Sequence, residues 1–203
     1  NRICANNVAV EPGKVVYTAW LNERGGIESD LTVTRLREDA YLVVTAAASQ
    51  TRDLAWLRRQ LPDEANAVVT DVTSGYVVLS VMGPNARRLL AEVTPADLSN
   101  EAFPFGTSKE IEVGYATALA LRVTYVGELG WELYIPTEFA QDIYDGIVAA
   151  GSGHGLKLAG MHALNSLRLE KAFRHWGHDI TDEDNPLPPD SALPSRGTSP
   201  EAS

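Results

Sequence analysis

Tyr125 and Glu132 lie on either side of Gly127-Glu128-Leu129-Gly130, within the run Arg-Val-Thr-Tyr-Val-Gly-Glu-Leu-Gly-Trp-Glu-Leu-Tyr-Ile-Pro at 122–136. Runs of β-branched and aromatic residues around a short loop with two glycines predict a hairpin. With 127–130 as the loop, Val126 faces Trp131 and Tyr125 faces Glu132, Cβ atoms about 5 Å apart. Trp131, Leu133 and Ile135 then point to the opposite side. A carboxylate in an apolar strand is costly to bury without a partner. A flat heterocycle with two adjacent N–H donors would satisfy it and could stack on the tyrosine. The alternative is a cross-strand Tyr–Glu pair on a wet face.

Asp30 is the second candidate. It follows Gly25-Gly26-Ile27-Glu28-Ser29, early in a strand after a double-glycine turn. A carboxylate at such a pocket rim can take or steer a proton; an acidic residue near a hairpin end is also a common surface feature. Arg168, on the segment Gly160–Glu170, reads from the residues alone as a structural ion-pair partner of a strand carboxylate or of the surroundings of Glu170. His175, His178 and Asp179 invite a metal reading, but zinc needs three or four convergent ligands and the spacing fits no known site. No metal is expected. A glycine-rich dinucleotide fingerprint, a phosphate-loop lysine and a Gly-x-Ser-x-Gly elbow are all missing from the sequence.

The elements that must carry these residues follow from the pattern. Val15–Leu21, Ile27–Leu36 and Ala40–Ala46 predict three strands, with Ile27, Ser29, Leu31 and Val33 on one face of the second. Leu54, Leu57 and Leu61 form the stripe of a helix over Gln50–Leu61, stopped by Pro62. Short β runs follow at Ala67–Val72 and Tyr76–Val81. A helix opens at Gly83-Pro84-Asn85 and carries Ala86, Leu89, Leu90 and Val93. Ser108–Val113 and Tyr115–Tyr125 are strands. Thr137 caps a helix running to about Ala150, with Phe139, Ile143 and Ile147 inward. A last helix spans Ala159–Phe173. Antiparallel hairpins mixed with helices predict the α+β class, in one domain over 1–183. A proline-rich tail over 184–203 is expected to be disordered.

Composition narrows the partners. The chain has 203 residues, 44% of them hydrophobic, which supports a globular core. A net charge of −10 argues against nucleic acid, and no apolar run reaches membrane-spanning length. The single cysteine, Cys4, cannot form an internal disulfide, so a reducing compartment fits, cytoplasmic or mitochondrial matrix. With no initiating methionine and no signal segment, the chain reads as part of a longer protein.

The stretch 122–136 resembles the folate-binding segment of the aminomethyltransferase family, which includes the glycine cleavage T-protein. Its Tyr-Val-Gly-Glu-Leu-Gly-Trp-Glu-Leu form is most similar to the folate-binding portion of dimethylglycine and sarcosine dehydrogenases. The segments 22–36 and 160–170, and Asn185-Pro186-Leu187, resemble the same family. The likeness implies that Tyr125 lies against the pterin of tetrahydrofolate and that Glu132 holds the pterin nitrogens. It implies that Asp30 is the catalytic carboxylate and that Arg168 lies near the folate. Ser29 and Leu164 stand where the T-protein has an aspartate and an arginine. The implied function is transfer of an aminomethyl or methylene unit from a small amine-derived donor to tetrahydrofolate. FAD would belong to a separate oxidoreductase domain. The alternative is a folate-binding or regulatory fragment without catalysis.

Overall fold

The computed structural model describes residues 1–186; most of the proline-rich tail, from 187 on, lies outside the described residues. The chain forms two compact units. One comprises Asn1–Thr73 and the segment that begins at Arg174; the other comprises Ser74–Phe173.

The first unit holds a three-stranded antiparallel sheet in sequence order: β1 (Val15–Leu21), β2 (Ile27–Arg37) and β3 (Ala40–Val44). The alternation in β2 decides its faces. Ile27, Ser29, Leu31 and Val33 are buried, and Glu28, Asp30 and Thr32 are partly exposed. Trp20, Leu31 and Val33 cluster with Val8, against Trp56 and Leu57 of helix α1 (Gln50–Arg59). The leucine stripe expected on α1 is only half right: Leu54 and Leu57 are partly buried, whereas the fully buried residue of this helix is Asp53. The run Ala67–Val72 forms no strand; Val68 is 90% exposed, so nothing rewards a β-branched residue there.

The turn Asn22–Gly26 shows why two glycines are needed. Gly25 has φ +82°, and a Cβ on Gly26 would lie 2.2 Å from the carbonyl oxygen of Asp182. The returning segment is thus laid directly over the turn. Ile27 N–H donates to the Asp184 carbonyl at 3.0 Å, and the Trp176 indole N–H donates to the Ile27 carbonyl at 2.8 Å. Asp184 is therefore tied to the fold, at the point where the sequence places the start of the tail.

The second unit is a four-stranded antiparallel sheet in the order β4 (Tyr76–Met82), β7 (Gly130–Pro136), β6 (Ala116–Leu121), β5 (Ser108–Val113). Helices α2 (Ala86–Leu90) and α3 (Ala140–Gly151) cover one face. Trp131, Leu133 and Ile135 of β7 join Leu89, Leu90, Phe103, Ile143 and Ile147 in that core. Thr137 does not cap α3; its hydroxyl donates to the Ser74 carbonyl at 2.9 Å, and a single 3-10 turn over Thr137–Phe139 leads into the helix. The last helix, α4, covers Met161–Glu170. Mixed helices and antiparallel sheets make this an α+β protein, as the pattern predicts. No helix among the described residues is long and apolar enough to cross a membrane.

Candidate functional site

Glu132 sits at the middle of the central strand β7, opposite Ser80 of β4 and Leu121 of β6. Because Trp131 and Leu133 point into the core, the period of the strand sends Glu132 to the other face. Tyr134, two positions on, shares that face. Its hydroxyl donates to Glu132 Oε2 at 2.9 Å. No other hydrogen bond reaches Glu132 among the described residues, so Oε1 is left without a donor. Burial pushes the Glu132 carboxyl above its ordinary range, and the Tyr134 hydrogen bond draws it part of the way back. The Tyr134 phenol is pushed up in turn, first by its own burial and then by the carboxylate beside it.

The expected pairing of Tyr125 with Glu132 is therefore corrected. Glu132 pairs with Leu121, and β6 ends there instead of running to Tyr125. Residues 122–129 form a wider loop, in which Gly127, at φ +70°, takes the left-handed conformation, while Gly130 does not and begins β7. Arg122 explains the difference. Its backbone N–H donates to Thr107 and its carbonyl accepts from Gly106, both on the β5 side. Its buried guanidinium donates to the Phe103 carbonyl at 2.5 Å and to Asn100 Oδ1 at 2.6 Å. These anchors hold the chain away from β7, so a four-residue loop cannot close. Tyr125 remains half-buried, with the Arg168 guanidinium carbon 6.0 Å from its ring centre.

Arg168 is 4% exposed and works within its own unit. Its Nε donates to Asn165 Oδ1 at 2.9 Å and its Nη1 to the Phe173 carbonyl at 2.8 Å. It thereby braces the end of α4, where Ala172 has φ +57°.

In the first unit, Asp30 lies across from Ala19 and diagonal to Tyr17, whose hydroxyl donates to Asp30 Oδ2 at 2.8 Å. Burial raises the Asp30 carboxyl; the Tyr17 hydrogen bond and the charge of His175 oppose that, and Asp53 adds to it slightly. Behind Asp30, the adjacent Ser29 donates to Asp53 Oδ2 at 2.9 Å, as does Ser49 at 2.6 Å. Arg52 holds Asp53 Oδ1 with Nε at 3.0 Å and Nη2 at 2.8 Å. The same Nη2 donates to the Glu28 carbonyl at 2.6 Å, and the guanidinium lies 4.0 Å from the Trp176 ring centre. Helix α1 thus grips β2 at Glu28 and Ser29, just before Asp30.

Three of these residues escape sequence reasoning. Tyr134 carried a usable signal, since positions two apart on a strand share a face. Tyr17 needed the β1–β2 register. Asp53 gave no signal, because an acid in the first turn of a helix is ordinarily a solvated one. His175 and His178 stack with ring centres 4.6 Å apart, and Asp179 accepts from the His175 backbone N–H. Among the described residues no group of three His, Cys, Asp or Glu is placed to hold a metal.

Residues 1–190 match the family model of the GCVT N-terminal domain, and the chain belongs to that family. It is 46% identical over 180 residues to the formaldehyde-forming 4-methylaminobutanoate oxidase of Paenarthrobacter nicotinovorans, covering 89% of this chain and 22% of that protein. It is 40% identical over 195 residues to the mitochondrial sarcosine dehydrogenase of Homo sapiens, covering 89% and 21%. Among solved structures, the glycine cleavage system aminomethyltransferase T from Bartonella henselae superposes with a TM-score of 0.76 at 28% identity, over 91% of this chain and 48% of that one. The chain spans about a fifth of the length of these curated relatives.

Proposed function

We propose that this chain is the tetrahydrofolate-binding part of an enzyme that transfers a one-carbon unit from a small amine-derived donor. The observation that carries the reading is Glu132: a half-buried carboxylate with one oxygen taken by Tyr134, the other without a protein donor among the described residues, and no cation among the groups that shift its titration. Such a group calls for N–H donors from a guest. The aminopyrimidinone edge of a reduced pterin offers adjacent N–H groups in one plane, which fits a carboxylate. When bound, tetrahydrofolate supplies nucleophilic nitrogens that accept the one-carbon unit.

In this reading Glu132 orients the pterin, and Tyr125 gives a ring for it to lie against. Arg168 serves the site through its place beside Tyr125 and its hold on Phe173. Asp30 takes or steadies a proton as the new C–N bonds form, with Tyr17 holding its Oδ2. Much of the rate would come from positioning two reactants together. The donor would be produced by an FAD-containing oxidoreductase part of the same protein or of a partner.

Titration of the full-length protein with tetrahydrofolate tests the assignment. Glu132→Gln should weaken binding by at least tenfold. Equal binding by wild type and variant removes the pocket. Asp30→Asn should bind folate as wild type does and lose most turnover; unchanged turnover makes the domain a folate holder without a catalytic carboxylate.

A further inference from the structure

Two carboxylates in this protein share one arrangement. Asp30 and Glu132 are each half-buried, and each accepts one hydrogen bond from a tyrosine hydroxyl, at 2.8 and 2.9 Å. The Glu132 pair is the more isolated. Its neighbours across the sheet are Ser80 on β4 and Leu121 on β6, neither charged. On β7 itself, Tyr134 is the one titratable group sharing its face, between the core-facing Trp131, Leu133 and Ile135. Tyr134 is 4% exposed, so its ring is packed and its hydroxyl is held in place.

We propose that Tyr134 is a positioning residue for the ligand: by donating to Oε2 it keeps Glu132 an acceptor, so that Oε1 is presented to an N–H edge. This rests on the folate reading of Glu132 given above and adds a determinant that the reading does not require. A protonated Glu132 would turn a donor toward the guest and meet N–H with O–H. Burial favours that protonated form, and the Tyr134 hydroxyl is the group opposing it. The specificity follows: the site takes rings that present adjacent N–H groups and rejects those presenting a carbonyl or bare ring nitrogen at the same edge.

The test uses the full-length protein and 5-formyltetrahydrofolate, a reduced folate that resists oxidation. Affinity is measured by calorimetry from pH 5 to 8.5 for wild type, Tyr134→Phe and Glu132→Gln, with melting temperatures alongside. Tyr134→Phe should match wild type at the alkaline end. Its affinity should fall away at higher pH than wild type does, the gap widening toward about tenfold at the acid end, the worth of one hydrogen bond to an ionised carboxylate. Substituting 3-fluorotyrosine at 134, a stronger donor of nearly the same shape, should move the loss to lower pH than in wild type. A gap constant with pH, or none, overturns the role of Tyr134 while leaving the pocket intact. Folate binding by Glu132→Gln that equals wild type at every pH instead removes the pocket reading itself. Should Tyr134→Phe fail to fold, the fluorotyrosine shift decides alone: its absence overturns the proposal.

Discussion

Tyr134 donates its hydroxyl to Glu132 Oε2 at 2.9 Å from two positions along the same strand. Both side chains leave β7 on the face away from the core formed by Trp131, Leu133 and Ile135. The pair is local in sequence, yet its environment is made by neighbouring strands. That is why the acid is both held and short of donors.

The raised carboxyls of Asp30 and Glu132 predict that function is held against stability. Their ordinary values are 3.8 and 4.5, and both are higher in the folded protein. Between the ordinary and the raised value the native state binds more protons than the unfolded state, so stability falls as pH rises through that window. Above it the penalty is fully present. Asp30→Asn and Glu132→Gln should therefore melt higher than wild type at pH 7.5, and the advantage should fade on acidification. Each kcal/mol gained would show as roughly 2–4 °C. Thermal melts at pH 4 and pH 7.5 decide it, and a lower melting temperature for both variants at pH 7.5 refutes it.

Tyr17→Phe removes the hydrogen bond that opposes burial at Asp30. In the full-length protein the acid limb of kcat/KM should move to higher pH, since an ionised Asp30 becomes harder to form. The alkaline plateau should change by less than about threefold, because the geometry of β1 and β2 is kept by their ladder. A pH–rate profile with an unmoved acid limb would show that Tyr17 does not act on Asp30.

Asp53 is 2% exposed and receives Ser29, Ser49 and Arg52. Asp53→Ala leaves those donors without their acceptor and loosens Arg52 from β2. The expected loss is about 1–3 kcal/mol, the cost of leaving buried donors such as Ser29 without an acceptor. Urea unfolding measures it; a loss below about 1 kcal/mol would show that water replaces the carboxylate.

Ala172 is the single non-glycine residue with positive φ among those described, at +57°. It follows α4, where Phe173 N–H donates to the Arg168 carbonyl at 3.1 Å. This is the position where helices ordinarily use glycine. Ala172→Gly should stabilise the protein by roughly 0.5–1 kcal/mol, read from the midpoint of chemical unfolding. A destabilised variant would mean that the Ala172 methyl is needed for packing.

Much of the architecture was legible because its causes are local. Strand composition gave β1, period-two patterns gave β2 and β7 with the faces of Leu31 and Trp131 inward, and Ile143 with Ile147 gave the inner side of α3. The stretches that misled were those where a distant group decides. Val68 had strand chemistry without a strand to meet, and Thr137 was drawn from its capping role to the Ser74 carbonyl.

The sequence by itself determined that Glu132 leaves its strand opposite Trp131 and Leu133, because successive side chains on a strand must alternate. Only the tertiary structure decided which phenol would meet it. Arg122, anchored to Phe103, Asn100 and Thr107, holds residues 122–129 off the β7 ladder, so Tyr134 and not Tyr125 becomes the partner. Pairing across a loop depends on what else grips the loop, and those contacts lie 15 residues or more away in the chain.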